Sequence, residues 1–444
     1  MVVGEVEVVA PDLDELRAFT TRLRCVGACG DAGLGIEWID AVESLKSVGC
    51  AVQAVVTDDV ATCMREDRKA RGLPRAEWDR GIASQIALAR RESPNRGGRH
   101  LGFAQAVVHE MPHTLALLRS GRLNEWRATL LVRETACLSA ADRKIVDHRL
   151  CSDPDVLDGV GDRGLVAKAK ALAVELDAAA VVARYRKAVS ERRVTTRPAP
   201  DSMAYLSVLL PMEQAVCLQA TLGRDADSLI ATGDSGGRTR NQLMADLLFD
   251  RGTGASVTDG VPVAVNLVIS DEALLAGENE AADLAGFGPV PAGIARQLVA
   301  AALDGVTAVT LRNVYSCPVS GALTAMESQS RMFPKSLRKL IDLRDRTCRT
   351  PWCDAPIRHH DHILSRRNKG ATTAQNGAGL CAACNYAKEG DGWTARPVRR
   401  HGRTHLFDLG TPTGHHYRSA APRLPSAARR SEIEAILIAH LRAS

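Results

Sequence analysis

Cys348-Arg-Thr-Pro-Trp-Cys353, followed later by Leu380-Cys-Ala-Ala-Cys384, is the stretch that decides the fold of the C-terminal part of this 444-residue chain. The two close cysteine pairs have the spacing of metal-binding knuckles. Four thiolates can close a tetrahedral structural zinc site, which would hold together a segment too short to build its own core. The alternative is four unrelated thiols, but both spacings suit a metal and the pairs flank a histidine-containing loop. We therefore predict structural Zn²⁺ bound by Cys348, Cys353, Cys381 and Cys384.

Between the cysteine pairs lies Asp361-His362, which pairs a carboxylate with an imidazole. A carboxylate is a hard oxygen ligand suited to Mg²⁺ or Mn²⁺. Neighbouring residues of a strand point to opposite faces, so one residue can bind the ion while the other meets a water molecule. A neutral imidazole is a suitable general base near pH 7. Asn385 directly follows a cysteine and is the predicted second ligand of the ion, while Asn376 is expected to hold the loop and His362 in place.

The ordered residues of this segment resemble the HNH endonuclease family. The matching positions, in chain order, are Cys348, Cys353, Asp361, His362, Asn376, Leu380, Cys381, Cys384, Asn385 and Lys388. The resemblance implies a ββα-metal fold and hydrolysis of DNA phosphodiester bonds, with His362 as general base and a catalytic Mg²⁺ or Mn²⁺ ion held by Asp361 and Asn385. The products would carry 5′-phosphate and 3′-hydroxyl ends.

Three positions depart from the commonest form of this family. Cys384 and Asn385 stand where two histidines are frequent, and Ser365 stands where a proline is usual three residues after the catalytic histidine. Cysteine keeps a zinc ligand and asparagine keeps an ion ligand, whereas the serine puts the loop geometry in question. His359 and His360 are the alternative candidates for the base, and their other interpretation is a solvated or phosphate-contacting role.

The longer N-terminal part resembles a domain of uncharacterised function that precedes HNH modules in a large, mainly actinobacterial repeat family. The strings that carry this resemblance are Ser93-Pro-Asn-Arg-Gly-Gly-Arg-His100, Met111-Pro-His-Thr-Leu-Ala116, Gly121-Arg-Leu-Asn-Glu-Trp-Arg127, Val132-Arg-Glu-Thr-Ala-Cys-Leu138 and Arg197-Pro-Ala-Pro-Asp201. Together with the HNH segment, the resemblance covers roughly residues 40 to 410. The basic side chains between Arg91 and His100 are interpreted as partners of carboxylates, with phosphate contact as the alternative. Trp126 is expected to lie in the core.

Basic residues are concentrated in the same C-terminal segment. Residues 331 to 403 contain 16 Lys or Arg against 6 Asp or Glu, although the whole chain carries a formal charge of only +5. Such a concentrated basic segment is typical of a nucleic-acid footprint, with a solvated surface as the other interpretation. We predict DNA as the partner, contacted by Arg366, Arg367, Lys369 and Lys388.

Hydrophobic periodicity predicts a mainly helical N-terminal domain with a few strands, hence an α+β fold, before the ββα-metal module. The predicted parts are a helical domain (1–255), a connecting region (256–330), the nuclease module (331–410) and a tail with a possible terminal helix (411–444). Within them the sequence predicts helices up to about residue 192, interrupted by a loop at 93–99. It further predicts a hairpin at 194–210, a strand at 262–270, a loop at 273–291 and helices at 292–304 and 432–441.

The remaining expectations concern location and assembly. No secretion signal or transmembrane stretch is apparent, so we predict a cytoplasmic protein with no membrane contact. Double-strand cutting by a nuclease with one site would suggest a homodimer. Two other functions compete with an active nuclease. One is a non-catalytic, zinc-stapled DNA-binding module, and the other is a helical interaction protein whose finger is purely structural.

Overall fold

The computed structural model describes residues 10–254, 267–270, 273–274, 277–284, 286–304, 327–328, 332–398 and 404–422. The predicted terminal helix at 432–441 lies outside these residues, as does most of the predicted strand at 262–270. The chain divides into two compact units. Unit 1 comprises the residues up to Val56 and Phe103–Asp177, and unit 2 comprises Thr57–Gly102 and the residues from Ala178 onward. Unit 2 therefore contains residues from both the predicted helical domain and the predicted nuclease module.

Helices dominate the chain up to residue 190, as the sequence predicts. They are α1 (Leu13–Leu23), α2 (Ala32–Ala70), α3 (Ile82–Arg90), α4 (Pro94–His109), α5 (Pro112–Arg119), α6 (Glu125–Glu134), α7 (Ala140–Cys151), α8 (Asp162–Leu176) and α9 (Ala178–Ser190). Further along are α10 (Met212–Ala231), α11 (Arg240–Thr253), α12 (Ala292–Asp304), α13 (Lys335–Asp345) and α14 (Ala382–Lys388). The predicted loop at 93–99 is wrong, because Pro94 opens α4 and proline is well tolerated in the first helical turn.

The strands form small antiparallel sheets, so the fold is α+β. They are β1 (Arg193–Pro198), β2 (Ala204–Leu209), β3 (Leu267–Val268), β4 (Ala282–Leu284), β5 (Gly288–Val290), β6 (Glu327–Ser328), β7 (His359–His362), β8 (Thr372–Thr373), β9 (Gly377–Leu380), β10 (Thr394–Val398), β11 (Leu406–Gly410) and β12 (His416–Ala420). β1 and β2 form the predicted hairpin. The predicted loop at 273–291 instead contains the β4–β5 pair, whose three-residue strands are too short to reveal alternation in the sequence.

Helix α5 contributes Leu115, Leu117 and Leu118 to the buried side chains of unit 1. Pro112 begins this helix, and the buried carboxylate of Asp147 on α7 accepts hydrogen bonds from the backbone N–H groups of His113 (2.7 Å) and Thr114 (2.8 Å). Asp147 thereby satisfies N–H groups that have no partner within the helix. The prediction that Trp126 lies in the core is wrong: its side chain is exposed, and its indole Nε1 donates to Asp162.

In unit 2, helix α3 packs against the cysteine-rich segment. Leu88 belongs to the same buried cluster as Cys348, Cys353, Cys381 and Cys384. Arg80 donates to the carbonyl of Tyr386 (3.1 Å), and Thr413 donates to Gln85 (2.7 Å). The C-terminal segment therefore shares its core with a helix from the N-terminal half of the sequence.

The basic residues at the start of α4 make carboxylate contacts. The Nε2 atom of His100 lies 2.7 Å from Glu92, and Arg96 lies 3.7 Å from the same side chain. These two contacts agree with the interpretation that the basic side chains pair with carboxylates.

None of the helices in the described ranges has both the length and the apolar character required to cross a bilayer.

Candidate functional site

The four predicted cysteine ligands meet in one buried group. The sulfur atoms of Cys348, Cys353, Cys381 and Cys384 all lie within 4.8 Å of one another. The Sγ atom of Cys353 lies 3.7 Å from that of Cys381 and 3.6 Å from that of Cys384. A tetrahedral zinc site with Zn–S bonds of about 2.3 Å places its sulfurs about 3.8 Å apart. The group therefore has the size required to hold a metal ion such as zinc.

Short backbone features create this geometry. Cys381 is the N-cap of α14, and its sulfur accepts a hydrogen bond from the backbone N–H of Cys384 (3.4 Å). Hydrogen bonds from the thiols of Cys348, Cys353 and Cys384 lower the pKa of Cys381. A sulfur that is stabilised as thiolate is the form that binds metals.

Beside the cysteines, β7 and β9 pair in antiparallel register, and α14 follows β9 directly. The two faces of β7 have different neighbours. On one face, His359 lies next to Asn385 and Asp361 lies next to Lys388, so α14 covers this face. On the other face, His360 and His362 have partners from the segment that contains α13. Asp361 and His362 thus belong to opposite faces, as strand alternation predicts.

His362 is held in a well-defined pocket at the end of β7. Its side chain is buried, its ring packs on Phe333 with 4.7 Å between centroids, and its Nε2 atom lies 2.9 Å from Oγ1 of Thr372. Its Nδ1 atom lies 3.7 Å from Oδ1 of Asp361. Burial lowers the pKa of His362, and the nearby Asp361 carboxylate only partly opposes that effect. The imidazole is therefore neutral near pH 7.

Asp361 connects the two faces of the strand. Its Oδ1 atom accepts a hydrogen bond from the backbone N–H of His362 (2.8 Å), and its Oδ2 atom lies 3.4 Å from the ammonium of Lys388. Lys388 is buried and also contacts Glu389. Its position beside Asp361 differs from that expected of a phosphate contact on the surface.

The side-chain amide of Asn385 lies beside β7, and only its nitrogen has a hydrogen-bond partner among the described residues. Its Nδ2 atom lies 3.0 Å from Nδ1 of His359, whereas its buried Oδ1 atom has no hydrogen-bond partner among the described residues. A buried amide oxygen without a partner is energetically unfavourable unless a ligand satisfies it. Together with the carboxylate of Asp361, this oxygen is a donor of the type that Mg²⁺ and Mn²⁺ prefer.

The alternative bases are already engaged with other groups. The Nε2 atom of His360 lies 2.6 Å from Asp342 on α13, and His359 contacts Asn385 and the ring of Tyr386. In His362, by contrast, the ring nitrogen Nδ1 lies 3.7 Å from Oδ1 of Asp361.

Asn376 closes the loop that follows His362. Its Oδ1 atom accepts from the backbone N–H of Leu364 (2.8 Å), and its Nδ2 group donates to the carbonyls of Leu364 (3.1 Å) and Ala371 (2.9 Å). The same loop exposes the predicted phosphate contacts Arg366, Arg367 and Lys369. Asn376 therefore fixes the path of the chain between the imidazole and these basic side chains.

A buried charged network behind β9 was not anticipated from the sequence. Asp345 accepts hydrogen bonds from Arg344 (2.7 and 2.8 Å), Arg349 (2.8 Å) and the backbone N–H of Gly379 (2.7 Å). Burial alone would raise the pKa of Asp345, but the two guanidinium groups and the Gly379 N–H outweigh it, so the pKa is lowered. Arg349 also contacts His405. Burial and the nearby guanidinium groups lower the pKa of His405 to about 3. This network fixes β9, and through it the partner strand β7.

Thr372 and Phe333, the two groups that hold the ring of His362, were also missed. Thr372 is 10 residues from His362 in sequence and Phe333 precedes α13, so no motif spacing links them to the imidazole. Only the pairing of strands and the packing of α13 bring them together.

Comparison with known proteins identifies the larger part of the chain. A family model described as a domain of unknown function, DUF222, matches residues 40–345, which is more than half of the sequence. No curated protein and no solved structure matches the chain. The match ends at the buried carboxylate of Asp345, and the four cysteines, β7, β9 and α14 follow it. The chain therefore belongs to the DUF222 family.

Proposed function

We propose that this protein is a metal-dependent endonuclease of the HNH type that hydrolyses DNA phosphodiester bonds, with structural Zn²⁺ at the four cysteines and a catalytic Mg²⁺ or Mn²⁺ ion. One observation carries the proposal. A buried, neutral imidazole (His362) and a carboxylate (Asp361) meet at the end of one strand, beside a helix that supplies a buried amide oxygen without a partner (Asn385).

The cysteine group supports this proposal as the element that holds the site together. It fixes the start of α14, and with it the position of Asn385 one residue after Cys384. The four cysteines belong to the buried cluster that contains Ile363, Leu380 and Phe407, so metal binding would be coupled to the folding of this segment. A zinc ion in this group would therefore serve structure, and hydrolysis would occur at β7.

In the proposed reaction, Nδ1 of His362 accepts a proton from a water molecule. As the water O–H bond breaks and an Nδ1–H bond forms, the hydroxide oxygen bonds to phosphorus and the bond from phosphorus to the 3′ oxygen breaks. A divalent ion bound by Asp361 and Asn385 would supply stabilisation of the negative charge on the phosphoryl and leaving oxygens. The 3′ oxygen takes a proton from solvent, which gives 5′-phosphate and 3′-hydroxyl ends.

The exposed loop after His362 suits a polyanionic substrate. Arg366, Arg367 and Lys369 lie within seven residues of the imidazole and are exposed to solvent. Phosphate contacts of this kind position a nucleic acid without reading its sequence. The affinity for DNA should therefore fall steeply as the salt concentration rises.

A nicking assay tests the proposal. Supercoiled plasmid is incubated with the purified full chain and Mg²⁺ or Mn²⁺, and in parallel with the chelator EDTA under conditions that leave the zinc content unchanged. We expect conversion to the nicked form with either ion and none with the chelator. Binding of the plasmid without nicking at any ion concentration would instead support the non-catalytic DNA-binding module.

A further inference from the structure

Residues 178–254 contain α9, β1, β2, α10 and α11 and have almost no core of their own. Five of these 77 residues are buried, namely Pro211, Leu222, Gly223, Ala226 and Leu243. So few buried side chains do not offset the conformational entropy that a segment of this length loses on folding. Within the described part of the chain, the segment therefore lacks the apolar contacts that would stabilise it fully.

The β1–β2 hairpin of this segment has two chemically different faces. All residues of both strands are exposed. On one face the guanidinium of Arg197 lies over the ring of Tyr205, 4.3 Å from its centroid, and Arg193 lies on the same face. Side chains alternate between the faces along each strand. The opposite face, here called the apolar face, therefore carries no charged residue and consists of Val194, Thr196, Pro198, Ala204, Leu206 and Val208.

A two-stranded hairpin with an uncovered apolar face is at best marginally stable in water. Val194 is 64% exposed and Leu206 is 55% exposed. A third strand, a helix or another sheet packed on the apolar face would stabilise the hairpin. The hairpin therefore has the properties of one half of an interface.

The exposed apolar area of the segment is large enough for a stable protein interface. Twelve large apolar side chains are exposed between Val182 and Ile230, and their exposed fractions equal about six fully exposed side chains. That corresponds to roughly 1,000 Å². The largest apolar patch on an ordinary monomer covers about 300–600 Å², and each partner in a standard interface buries about 800 Å².

Two helices extend this apolar surface at the base of the hairpin. Helix α10 begins three residues after β2 ends, and its side chains Met212 and Val216, four residues apart, are both exposed. On α9 the hydroxyl of Tyr185 donates to Glu213 of α10 (3.4 Å), so the two helices meet there. The exposed side chains of α9 and α10 therefore adjoin the hairpin instead of lying far from it.

The charges of this segment favour a second copy of the chain as the partner. The apolar face carries no charge, so two copies of it do not repel each other, whereas DNA or an acidic protein would need the face with the arginines. On α10 and α11, Asp227 pairs with Arg240 (2.6 Å) and Asp246 is paired with Arg238 (2.9 Å). These charges are satisfied within the segment, and interfaces between identical subunits are the more apolar class.

We propose that the chain forms a homodimer in which the apolar faces of two β1–β2 hairpins pack against each other across a twofold axis. The same surface serves both copies, as the twofold symmetry of most dimers requires. Packed sheets lie about 10 Å apart, so Val194, Leu206 and Val208 of each copy would become buried. The inference does not rest on the proposed nuclease function, and each is tested without the other.

The first test is the molar mass of the full-length, zinc-containing protein, measured by light scattering over a range of concentrations. The native protein should have twice the mass of one chain. Leu206→Arg should weaken association by at least about a hundredfold, because it places an unpaired charge in an apolar contact. Ser207→Arg is the matched control, since the next residue adds the same charge on the opposite face and should leave the dimer intact.

The second test separates dimerisation from folding. If association stabilises the fold, the melting temperature rises with protein concentration. We expect this rise in the native protein and in Ser207→Arg, and its loss in Leu206→Arg with an unchanged circular dichroism spectrum. Should Leu206→Arg fail to fold, Val194→Thr keeps the shape of the side chain and should still weaken association by about tenfold.

Several results would overturn the inference. They are a native protein that is monomeric at every concentration, and a dimer that Leu206→Arg and Val194→Thr leave as tight as the native one. A monomer whose β2 amides are protected from hydrogen exchange would show that another part of the same chain covers the face. A monomer that binds phosphatidylglycerol vesicles through this face would assign it to a lipid surface instead.

Discussion

The guanidinium of Arg344 donates two hydrogen bonds, 2.7 and 2.8 Å long, to the carboxylate of Asp345, its neighbour in sequence, and both side chains are buried. The same guanidinium donates to the carbonyls of Ala374 (2.5 Å) and Gly377 (2.7 Å). The end of α13 is thereby bonded to the turn before β9 and to β9 itself. Because β9 pairs with β7, this ion pair positions the strand that carries the candidate base.

Replacing Asp345 with Asn should destabilise unit 2 strongly. The change leaves two buried guanidinium groups without their counter-charge, and breaking a buried ion pair costs about 3–5 kcal/mol. Urea unfolding monitored by circular dichroism measures the loss. Asp408→Asn is the matched control, because its pair with Arg418 is exposed on β11 and β12 and should contribute about 1 kcal/mol or less. Equal losses in the two variants would contradict this role of Asp345.

The stability of the protein should also depend on pH through Asp345. Its folded-state pKa lies below the value of about 3.9 for an unfolded chain, so its contribution is fully present above that value and is lost as pH falls towards the folded pKa. The free energy of unfolding should therefore fall more steeply below about pH 4 in the native protein than in Asp345→Asn. If the free energy of unfolding changed with pH in the same way in both proteins, the carboxyl group of Asp345 would not be the source of the acid sensitivity.

Replacing Cys381 with Ser should release zinc and unfold the segment around α14. Zinc content per chain, measured by atomic emission, should fall from one to near zero, because three thiolates and a hydroxyl bind the ion much more weakly. Cys217→Ser is the matched control, since Cys217 is an exposed free cysteine of the same unit. Retention of a full equivalent of zinc by Cys381→Ser would contradict the four-thiolate site.

Replacing Gly81 with Ala tests the packing of α3 on the C-terminal segment. Gly81 has a φ of +76°, and a Cβ there would lie 2.6 Å from Nε1 of Trp393. Gly72→Ala is the control, because Gly72 has a φ of +75° with open space around it and should cost only the left-handed strain of about 1–2 kcal/mol. Gly81→Ala should cost about 1–3 kcal/mol more, since the indole must move. Thermal unfolding of the two variants gives the comparison, and equal melting temperatures would count against the contact.

The sequence predicted those parts of the fold and site that depend on short spacings. Short stretches of sequence are enough to recognise the cysteine pairs, the Asp361-His362 dipeptide and the β1–β2 hairpin. The partners of His362 could not be predicted in this way. Thr372 meets the imidazole only through strand pairing, and Arg344 meets Gly377 across 33 residues. Trp126 was misplaced because its apolar neighbours suggested burial, whereas its indole N–H bonds to Asp162 at the surface.

The most direct test of the central claim is the plasmid-nicking rate of His362→Ala beside that of His360→Ala, both with native zinc content. Removing the general base should lower the rate by at least about a hundredfold in His362→Ala. His360→Ala should nick at close to the native rate, because the Nε2 atom of His360 is engaged with Asp342, 2.6 Å away, and this residue has no role in the proposed reaction. Nicking by His362→Ala at the native rate would contradict a hydrolytic centre built around this imidazole.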